Sequence, residues 1–513
     1  MLCMNFSYSQ SFSIEWSELM KKRGTLVYLL PSTDNEFFAL RWSGGRLLGH
    51  YQVSHHKNLQ LTSTGKIKLV ADKSMANFEG ARVIDGRFTV FLSDRKDGFN
   101  HFYMQPYGDD LMPIGEPIAI ASYRLDKGTT KGWFDIKMSA NKKHFGVVWE
   151  IPGRRDVRTR YGFKIFDLAM NEINEGDYPL PFDAALSKIH SHHISNQGEY
   201  FMAITEFEEN DSKKIFDNSL EFKALHIYHI AEDGLQDFTL DIEGKRVEAM
   251  AMTSDSEEIF IITGIYGEAD EGGVKGVFHQ QVDLKSGQTL SQGFRDFGDE
   301  FITQGWSDRA KKRADRREER GKGDPALYNY QMREAIIQSD GSIIGTMEQY
   351  YIQTQNFSDT RTGQVSNSYY YYYNDIIAYK INTEGEFEWL EKIRKYQVST
   401  NDGGPYSSYE SFLDGNKMYF IFNDNVDNYD SDGNYLEQES IHVANYGRRR
   451  NAVAISEIDL LTGEQKRKTF FNRSEVSTLA VPKMFEVSYE SSQLLIYTIY
   501  GNREKIGRLS FDK

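Results

Sequence analysis

Cysteine is almost absent from this chain, since Cys3 is the only one in 513 residues. This scarcity excludes a disulfide framework and a metal site built on cysteine. Proline is also rare, with 10 residues in the whole chain. No stretch reaches the ~18 consecutive apolar residues of a membrane helix, so we expect no membrane insertion.

An excess of positive charge is missing as well, because the formal net charge is −15 at pH 7. A chain this acidic is a poor ligand for nucleic-acid phosphates or anionic lipids, so neither is expected as its main partner. The sequence has no Walker loop, no Gly-x-Ser-x-Gly elbow and no His-Glu-x-x-His pair. Nucleotide-binding and hydrolase functions therefore have no motif to support them, and no catalytic residue can be named.

Aromatic residues are abundant at 14%, with 31 Tyr and 33 Phe, and this composition favours β-strands. A turn followed by a short strand rich in β-branched and aromatic residues recurs eight times along the chain. The turns lie at Asp34-Asn35, Asp85-Gly86, Asn141-Lys142, Asn196-Gln197-Gly198, Asp255-Ser256, Asp340-Gly341, Asp414-Gly415 and Ser491-Ser492. Their spacing is about 50 to 60 residues in the first half of the chain and about 75 to 85 in the second, which indicates a radial β-repeat.

The repeat predicts an all-β fold, a β-propeller of eight four-stranded blades. A second turn supports four strands per repeat, because Asp or Asn begins it and Gly ends it at 283–287, 382–385 and 459–463. The last repeat is one strand short, and Phe12 to Trp16 is predicted to supply the missing outer strand and close the ring. Seven blades, or two consecutive β domains, are the alternatives.

The predicted domain spans residues 11–513. Residues 1–10 are interpreted as the tail of a bacterial export signal, with an ordinary cytoplasmic start as the alternative. Polar loop insertions are expected at 210–223 and 357–368, and a charged helical insertion at 301–329. We expect the domain to be monomeric by itself.

The helical insertion carries a run of cations. Ser307 is its predicted cap, and its body from Arg309 to Arg320 has no apolar stripe, so it must project into solvent or onto a partner. A site for an acidic protein partner would use Arg309, Lys312, Arg313, Arg316, Arg317 and Arg320. The competing interpretation is a solvated helix laced by weak ion pairs.

A twelve-residue segment beginning at Asn428 has the spacing of a calcium loop. Oxygen donors stand at alternating positions, with Gly433 at the sixth position and an acid at the twelfth. The expected ligands of a structural Ca2+ are Asn428, Asp430, Asp432, Asn434 and Glu439. Strand-like flanks argue against a calcium switch, and an acidic solvent loop is the alternative. No other cofactor is required.

Two other clusters have simpler explanations. His190 and His192 could share a metal ion on one strand face, but no third ligand is evident, and a polar channel lining is simpler. The run Tyr369 to Tyr373 could form a stacking platform for sugars, although packing within and between blades is the more common use of such a run.

Three segments resemble an uncharacterised family of exported bacterial proteins with propeller-like repeats. They are Ser307 to Lys312, Tyr372 to Asn382 and Tyr419 to Asp424. The resemblance covers about a quarter of the chain. It implies a cell-envelope, periplasmic or otherwise exported setting, and no assigned activity.

The sequence by itself names no reaction or ligand. The function expected from it is a non-enzymatic scaffold that docks a protein partner, such as an envelope or outer-membrane complex, through its loops. A glycan-binding or glycan-cleaving propeller is the alternative.

Overall fold

Four-stranded antiparallel sheets repeat eight times along the chain and stand in a ring, which confirms the eight-bladed β-propeller. The structure is a computed structural model. It describes residues 12–511 apart from 34, 45–48, 128, 155–156, 210–219, 232–233, 241–243, 255–258, 269–272, 284, 287, 307, 319–325, 339, 359–364 and 439. None of the described helices is long and apolar enough to cross a bilayer.

The strands follow one another around the ring. Blades 1 to 7 each take four of them in chain order, whereas blade 8 has a first strand in two short pieces and takes its fourth strand from the N-terminal part of the chain. The first half of the chain begins with β1 (Ile14–Trp16) and β2 (Met20–Lys21), and blade 1 follows with β3 (Thr25–Thr33), β4 (Glu36–Ser43), β5 (His50–Lys57) and β6 (Gln60–Lys66). A small hairpin of β7 (Val70–Ala71) and β8 (Ser74–Met75) precedes blade 2, which has β9 (Asn77–Ile84), β10 (Arg87–Lys96), β11 (Phe99–Pro106) and β12 (Ile118–Arg124). Blade 3 has β13 (Trp133–Met138), β14 (His144–Ile151), β15 (Arg160–Asp167) and β16 (Glu172–Pro179), and blade 4 has β17 (Ser187–Ile194), β18 (Tyr200–Glu209), β19 (Leu220–Ala231) and β20 (Gly234–Leu240).

In the second half, blade 5 has β21 (Lys245–Ser254), β22 (Ile259–Glu268), β23 (Gly276–Asp283) and β24 (Thr289–Asp296), and blade 6 has β25 (Tyr330–Ile337), β26 (Ile343–Ser358), β27 (Val365–Ile381) and β28 (Phe387–Thr400). Blade 7 has β29 (Tyr409–Asp414), β30 (Lys417–Asn425), β31 (Asn451–Asp459) and β32 (Gln465–Asn472). Blade 8 has β33 (Leu479–Ala480), β34 (Glu486–Ser488), β35 (Gln493–Tyr500) and β36 (Arg503–Ser510). Helices α1 (Asp299–Ile302) and α2 (Asp308–Glu318) join blades 5 and 6, and α3 (Arg473–Val476) joins blades 7 and 8. Single 3-10 turns span Ala184–Leu186, Val426–Asn428 and Pro482–Met484.

The predicted turns lie where the fold needs them. In the described part of the chain, each turn of the first series joins the first and second strands of a blade; Asp34 and Asp255-Ser256 lie outside that part. Asp85 and Gly86 both have positive φ, at 49° and 71°, as a two-residue type I′ hairpin requires. The second series joins third and fourth strands, and Asp459 starts one such turn by accepting the N–H groups of Leu461 and Thr462 at 3.0 Å.

The middle strands of the blades form the core. β10, β22 and β30 are almost wholly buried because neighbouring blades cover both faces of each sheet. Such strands are rich in Val, Ile, Phe and Tyr, which pack well on a pleated surface. The fourth strands face outward and are more polar, as β6 and β16 illustrate.

Strands from both ends of the chain close the ring, as the sequence predicts. β1 pairs with β36 in antiparallel register, Ile14 opposite Leu509, and so becomes the outer strand of blade 8. Trp16 packs edge-on against Phe471 at 5.4 Å between ring centroids, which joins this strand to blade 7. The closed ring leaves no blade with an unpartnered face.

The first strands of the blades contact one another around a central channel. Five of these strands carry a one-residue β-bulge, at Val27, Glu79, His190, Glu248 and Arg333. A bulge adds an unpaired residue and re-aims the side chains beside it. Charged and polar groups therefore line the channel in place of a regular apolar alternation.

Strands extend into both predicted loop insertions. Within 357–368, β26 continues to Ser358 and β27 begins at Val365, and residues 359–364 lie outside the described part of the chain. Within 210–223, β19 begins at Leu220, and residues 210–219 lie outside the described part. In both places the strands continue past the body of the blade, which loop composition did not indicate.

Candidate functional site at the insertion end of the channel

The long connections of the propeller gather at one end. In an antiparallel blade, the links between second and third strands and the links between blades lie at the same end. Here these links include residues 297–329 with α1 and α2, the hairpin of β26 and β27, and residues 426–450. We call this the insertion end. The other end, called the turn end, carries tight turns such as Asp85-Gly86.

A tyrosine-rich hairpin stands at the insertion end. Its strands run 16 and 17 residues, about twice the length of most strands in the ring. Tyr369, Tyr371 and Tyr373 pair with Thr354, Ile352 and Tyr350, as expected for one face of the strand. Tyr373 is buried, whereas the side chain of Tyr369 is 42% exposed, so the run serves both packing and surface.

A buried ion pair lies beneath this hairpin at the channel wall. Lys395 Nζ lies 2.8 Å from Glu348 Oε1, and both side chains are only 1% exposed. Ser408 Oγ donates to Glu348 Oε2 at 2.6 Å, so both carboxylate oxygens are occupied. Burial lowers the pKa of Lys395, and the Glu348 charge acts against that shift. This pair fixes the joint between blades 6 and 7.

Two further cations stand beside this pair at the mouth of the channel. Arg333 Nη2 donates to Ser408 Oγ at 3.2 Å, and its Nε lies 3.9 Å from Glu348 Oε2. Lys483 Nζ donates to the Tyr373 hydroxyl at 2.6 Å and lies 3.9 Å from the centre of that ring. Burial lowers the pKa of Lys483 to about 8; the charges of Arg333 and Lys395 add to this shift, and those of Glu348 and Asp402 oppose it. The three cations outnumber these two carboxylates.

Three carboxyl groups from successive blades face the channel. Glu334 Oε2 accepts the Ser411 hydroxyl at 2.8 Å, and burial raises the pKa of Glu334. Burial, followed by the charges of Glu334 and Glu486, raises the pKa of Glu410 well above its usual range. Desolvation by the surrounding protein raises the pKa of Glu486 to about 7, although the residue keeps an exposed surface. Clustered groups with shifted pKa values mark candidate functional sites.

The predicted cationic helix is also at the insertion end. Arg309, Lys312, Arg313 and Arg316 are exposed on α2, while the side chains of Arg317 and Arg320 lie outside the described part of the chain. The segment before α2 is anchored, because Lys392 Nζ lies 4.5 Å from the centre of the Phe301 ring and Ile302 is buried. The helix thus has a fixed base and exposed cations, and its role in partner binding stays a prediction.

The predicted calcium ligands are divided between a turn and the core. Asp430 Oδ1 accepts the N–H groups of Asp432 at 2.9 Å and Asn434 at 2.8 Å, so these three residues share one turn. Asn428 is fully buried, and its amide oxygen accepts the His442 N–H at 2.7 Å. Glu439 lies outside the described residues. Among those that are described, no group of three or more His, Cys, Asp or Glu is placed to hold a metal. Calcium binding stays a prediction.

The histidines of β17 connect blades. His192 Nε2 lies 2.8 Å from Glu150 Oε1 of blade 3, and His193 Nε2 lies 2.8 Å from Ser254 Oγ of blade 5. His190 occupies the bulge and contacts Thr205 Oγ1 at 2.6 Å. Burial lowers the pKa values of His190 and His193 to about 4, so both are neutral at pH 7. These contacts fit inter-blade packing and channel lining.

A groove of about 920 Å³ lies on the flank between blades 6 and 7. Its central cation, Arg467, is already paired with Asp424, donates to the Tyr429 hydroxyl at 2.8 Å and packs against the Tyr435 ring. Arg394 donates to the Gln438 carbonyl at 2.7 Å. These contacts give the groove a structural role, which leaves the channel mouth as the stronger candidate site.

The sequence did not reveal the residues of the channel mouth. Arg333, Glu348 and Lys395 lie on three different strands of blade 6, and Lys483 lies 88 residues after Lys395 in blade 8, so the four residues match no motif. A usable signal was present in one place: Glu348 directly follows the apolar strand residues Ile343 to Met347. A charge within a buried strand needs a partner, but sequence alone does not identify which one.

No known protein family and no curated protein matches the chain. Solved structures match the chain only at low identity and low TM-score. Sqt1 from Chaetomium thermophilum matches with 9% identity, a TM-score of 0.40 and coverage of 97% of each chain. The polysaccharide lyase Uly1 matches with 9% identity and a TM-score of 0.38 over 96% of this chain and 90% of the other. The α-L-arabinanase of Penicillium chrysogenum matches with 9% identity and a TM-score of 0.29 over 70% and 97%.

Proposed function

We propose that this protein is a non-enzymatic scaffold of the bacterial cell envelope that docks a protein partner through its insertion end. The supporting observation is the set of large apolar side chains exposed around the ring at that end, where the projecting hairpin and the cationic helix also lie. The set includes Met75, Phe99, Trp133, Tyr328, Ile352, Tyr369, Leu436 and Tyr500. Aromatic residues, Met and Arg are enriched at protein interfaces, and exposed apolar groups of this kind mark interaction surfaces.

Site-specific photo-crosslinking in the source cells tests this proposal. A photoreactive phenylalanine analogue replaces Tyr369 or Trp133 at the insertion end, and Leu461 or Met112 at the turn end as matched controls. We expect the same crosslinked protein at Tyr369 and Trp133 and none at the two control positions. Fractionation of the same cells is expected to place the crosslinked species in the envelope.

A loss-of-contact variant adds a quantitative measure. Ile352→Ser together with Tyr369→Ser removes apolar area from the hairpin without touching the blade core, and should lower partner recovery at least about fivefold. Leu461→Ser is the control and should leave recovery unchanged. Equal crosslinking at both ends, or recovery insensitive to the hairpin variant, contradicts docking at the insertion end.

A glycan-binding or glycan-cleaving activity is the second candidate. The observation favouring it is the group of channel carboxyls with raised pKa values, Glu334, Glu410 and Glu486. A protonated carboxyl beside an ionised one is the usual pair for glycosidic cleavage. Screening polysaccharides for binding and release of reducing ends, with Glu334→Gln and Glu410→Gln as variants, decides this candidate. Activity unaffected by both substitutions would remove it.

A further inference from the structure

The hairpin of blade 6 has an open edge that faces the channel side. β25 pairs with β26 as far as Tyr330 opposite Gln349, and β26 then continues from Tyr350 to Ser358 with β27 alone. At about 3.3 Å per residue this free segment is roughly 25 Å long. Among the described strands, none pairs with this edge beyond Gln349.

The backbone direction shows which groups are free. The Tyr350 N–H points toward this edge, since it donates to the Asn329 carbonyl at 2.8 Å. Because a strand alternates the direction of its peptide groups, the N–H and C=O of Ile352, Thr354 and Asn356 point to the same edge. The hydrogen bonding of β27 supports this alternation. Tyr369 lies opposite Thr354, and its carbonyl points away from β26, because it accepts the Asn401 N–H at 2.9 Å.

The open edge lacks the usual protection. Residues Tyr350 to Asn356 contain no charged residue and no proline, in a chain that is 26% charged. Exposed edges are normally blocked by Lys, Pro or a bulge, because unpaired backbone groups otherwise recruit another strand. An unblocked, tyrosine-rich edge is therefore suited to pairing with a segment of another chain.

The start of this edge is next to Arg333 and Lys483, the two cations at the channel mouth. The Tyr350 ring lies 4.6 Å from the Tyr373 ring, and the Tyr373 hydroxyl accepts Lys483. Glu348 is already occupied by Lys395 and Ser408, which leaves Arg333 a weak contact at 3.9 Å. Lys483 has no ion pair within the described part of the chain. An incoming carboxylate would relieve the repulsion between these two cations.

We propose that an extended segment of the protein partner adds to this edge as an extra β-strand and places an acidic side chain between Arg333 and Lys483. Main-chain hydrogen bonds to Ile352, Thr354 and Asn356 supply affinity, and the two cations select the acid. The proposal rests on the docking function given above and specifies its chemistry.

Peptide selection on the purified full-length protein tests the strand addition directly. Random dodecapeptides are selected on the wild type, and the enriched peptides are labelled with fluorescein for anisotropy titration. We expect β-prone peptides that carry one acidic residue at a shared position and no other charged residue. Replacing that Glu by Gln should weaken binding about tenfold in the wild type and have little further effect in Lys483→Gln or Arg333→Gln.

A backbone test separates strand pairing from simple charge attraction. Thr354→Pro removes an outward N–H and leaves the ladder to β27 intact, so it should abolish peptide binding, whereas Thr354→Val should retain it. Peptides N-methylated at alternate residues provide the same test without altering the protein. Equal binding by Thr354→Pro and Thr354→Val, or tight binding of the N-methylated peptides, overturns the proposal.

The two proposals fail in different ways. If crosslinks from Tyr369 to the native partner persist in Lys483→Gln and Thr354→Pro, docking stands and strand addition is overturned. If no crosslinks form at the insertion end, docking itself is removed. Binding of an oligouronate that depends on Lys483 but not on the Thr354 backbone would identify a glycan ligand and also overturn the strand addition.

Discussion

Removing Lys395 should be among the most damaging single changes in the protein. Lys395 Nζ contacts Glu348 Oε1 at 2.8 Å, the Tyr373 carbonyl at 2.9 Å and Gln397 Oε1 at 3.2 Å. Lys395→Met leaves the Glu348 carboxylate 1% exposed without its counter-ion. Breaking a buried pair in this way costs about 3–5 kcal/mol of unfolding free energy.

The expected thermal shift follows from the size of the chain. An unfolding entropy of ~2.1 cal/mol/K per residue gives roughly 1.1 kcal/mol/K if the whole ring unfolds together, so the Tm should fall by about 3–5 °C. Calorimetry and urea titration measure this effect. Lys466→Met is the matched control, because Lys466 and Glu464 form an ion pair at 3.1 Å with both side chains 63% exposed. Its cost should stay below about 1 kcal/mol.

A double variant tests whether the loss arises from the stranded charge. Glu348→Gln combined with Lys395→Met removes both charges, so it should be more stable than Lys395→Met alone by at least about 1 kcal/mol. Equal costs for Lys395→Met and Lys466→Met would refute the reasoning. So would a double variant whose cost is the sum of the two single costs.

Three further changes have expected outcomes. Trp16→Ala should lower the unfolding free energy by about 2 kcal/mol in urea titration and increase N-terminal proteolysis, because the closing strand loses its contact with Phe471. The pKa of Glu486 is raised to about 7, so its stabilising contribution is present at low pH and is lost as pH rises from about 4.5 through 7. Tm measured across this range should therefore fall less in Glu486→Gln than in the wild type; identical profiles would contradict this. Gly162→Val should cost at least about 1–3 kcal/mol in the same urea assay, since a Cβ there would lie 2.3 Å from the Trp149 ring; an unchanged midpoint would contradict the clash.

The fold was predictable because its signals are local and repeated. Asp85-Gly86 marks a two-residue hairpin in any context, and eight such turns at similar spacing define the blades. The closing strand was predictable for a related reason, since a last repeat with three strands requires a fourth from elsewhere. Trp16 opposite Gly507 now shows that strand in place.

The candidate site was not predictable because it depends on register and on contacts between repeats. The bulge at Arg333 turns that side chain and Glu334 into the channel, and a bulge leaves no clear trace in an alternating pattern. Glu348 and Lys395 meet across a blade, and Lys483 reaches them from blade 8. The cations of α2 and the turn at Asp430 were recognisable in the sequence because each is a short, continuous segment that is exposed to solvent.

The closure of the ring also determines when folding can be completed. Ile14 cannot pair with Leu509, nor Arg41 with Glu504, until nearly all of the chain has left the ribosome. During synthesis the strand around Ile14 and the open face of blade 1 must therefore wait without their final partners. Blades 1 to 7 can assemble in order, but the nascent chain remains an open arc with an uncovered blade face at each end. In this ring, β36 must be synthesised before β1 and blade 1 can gain their final partners.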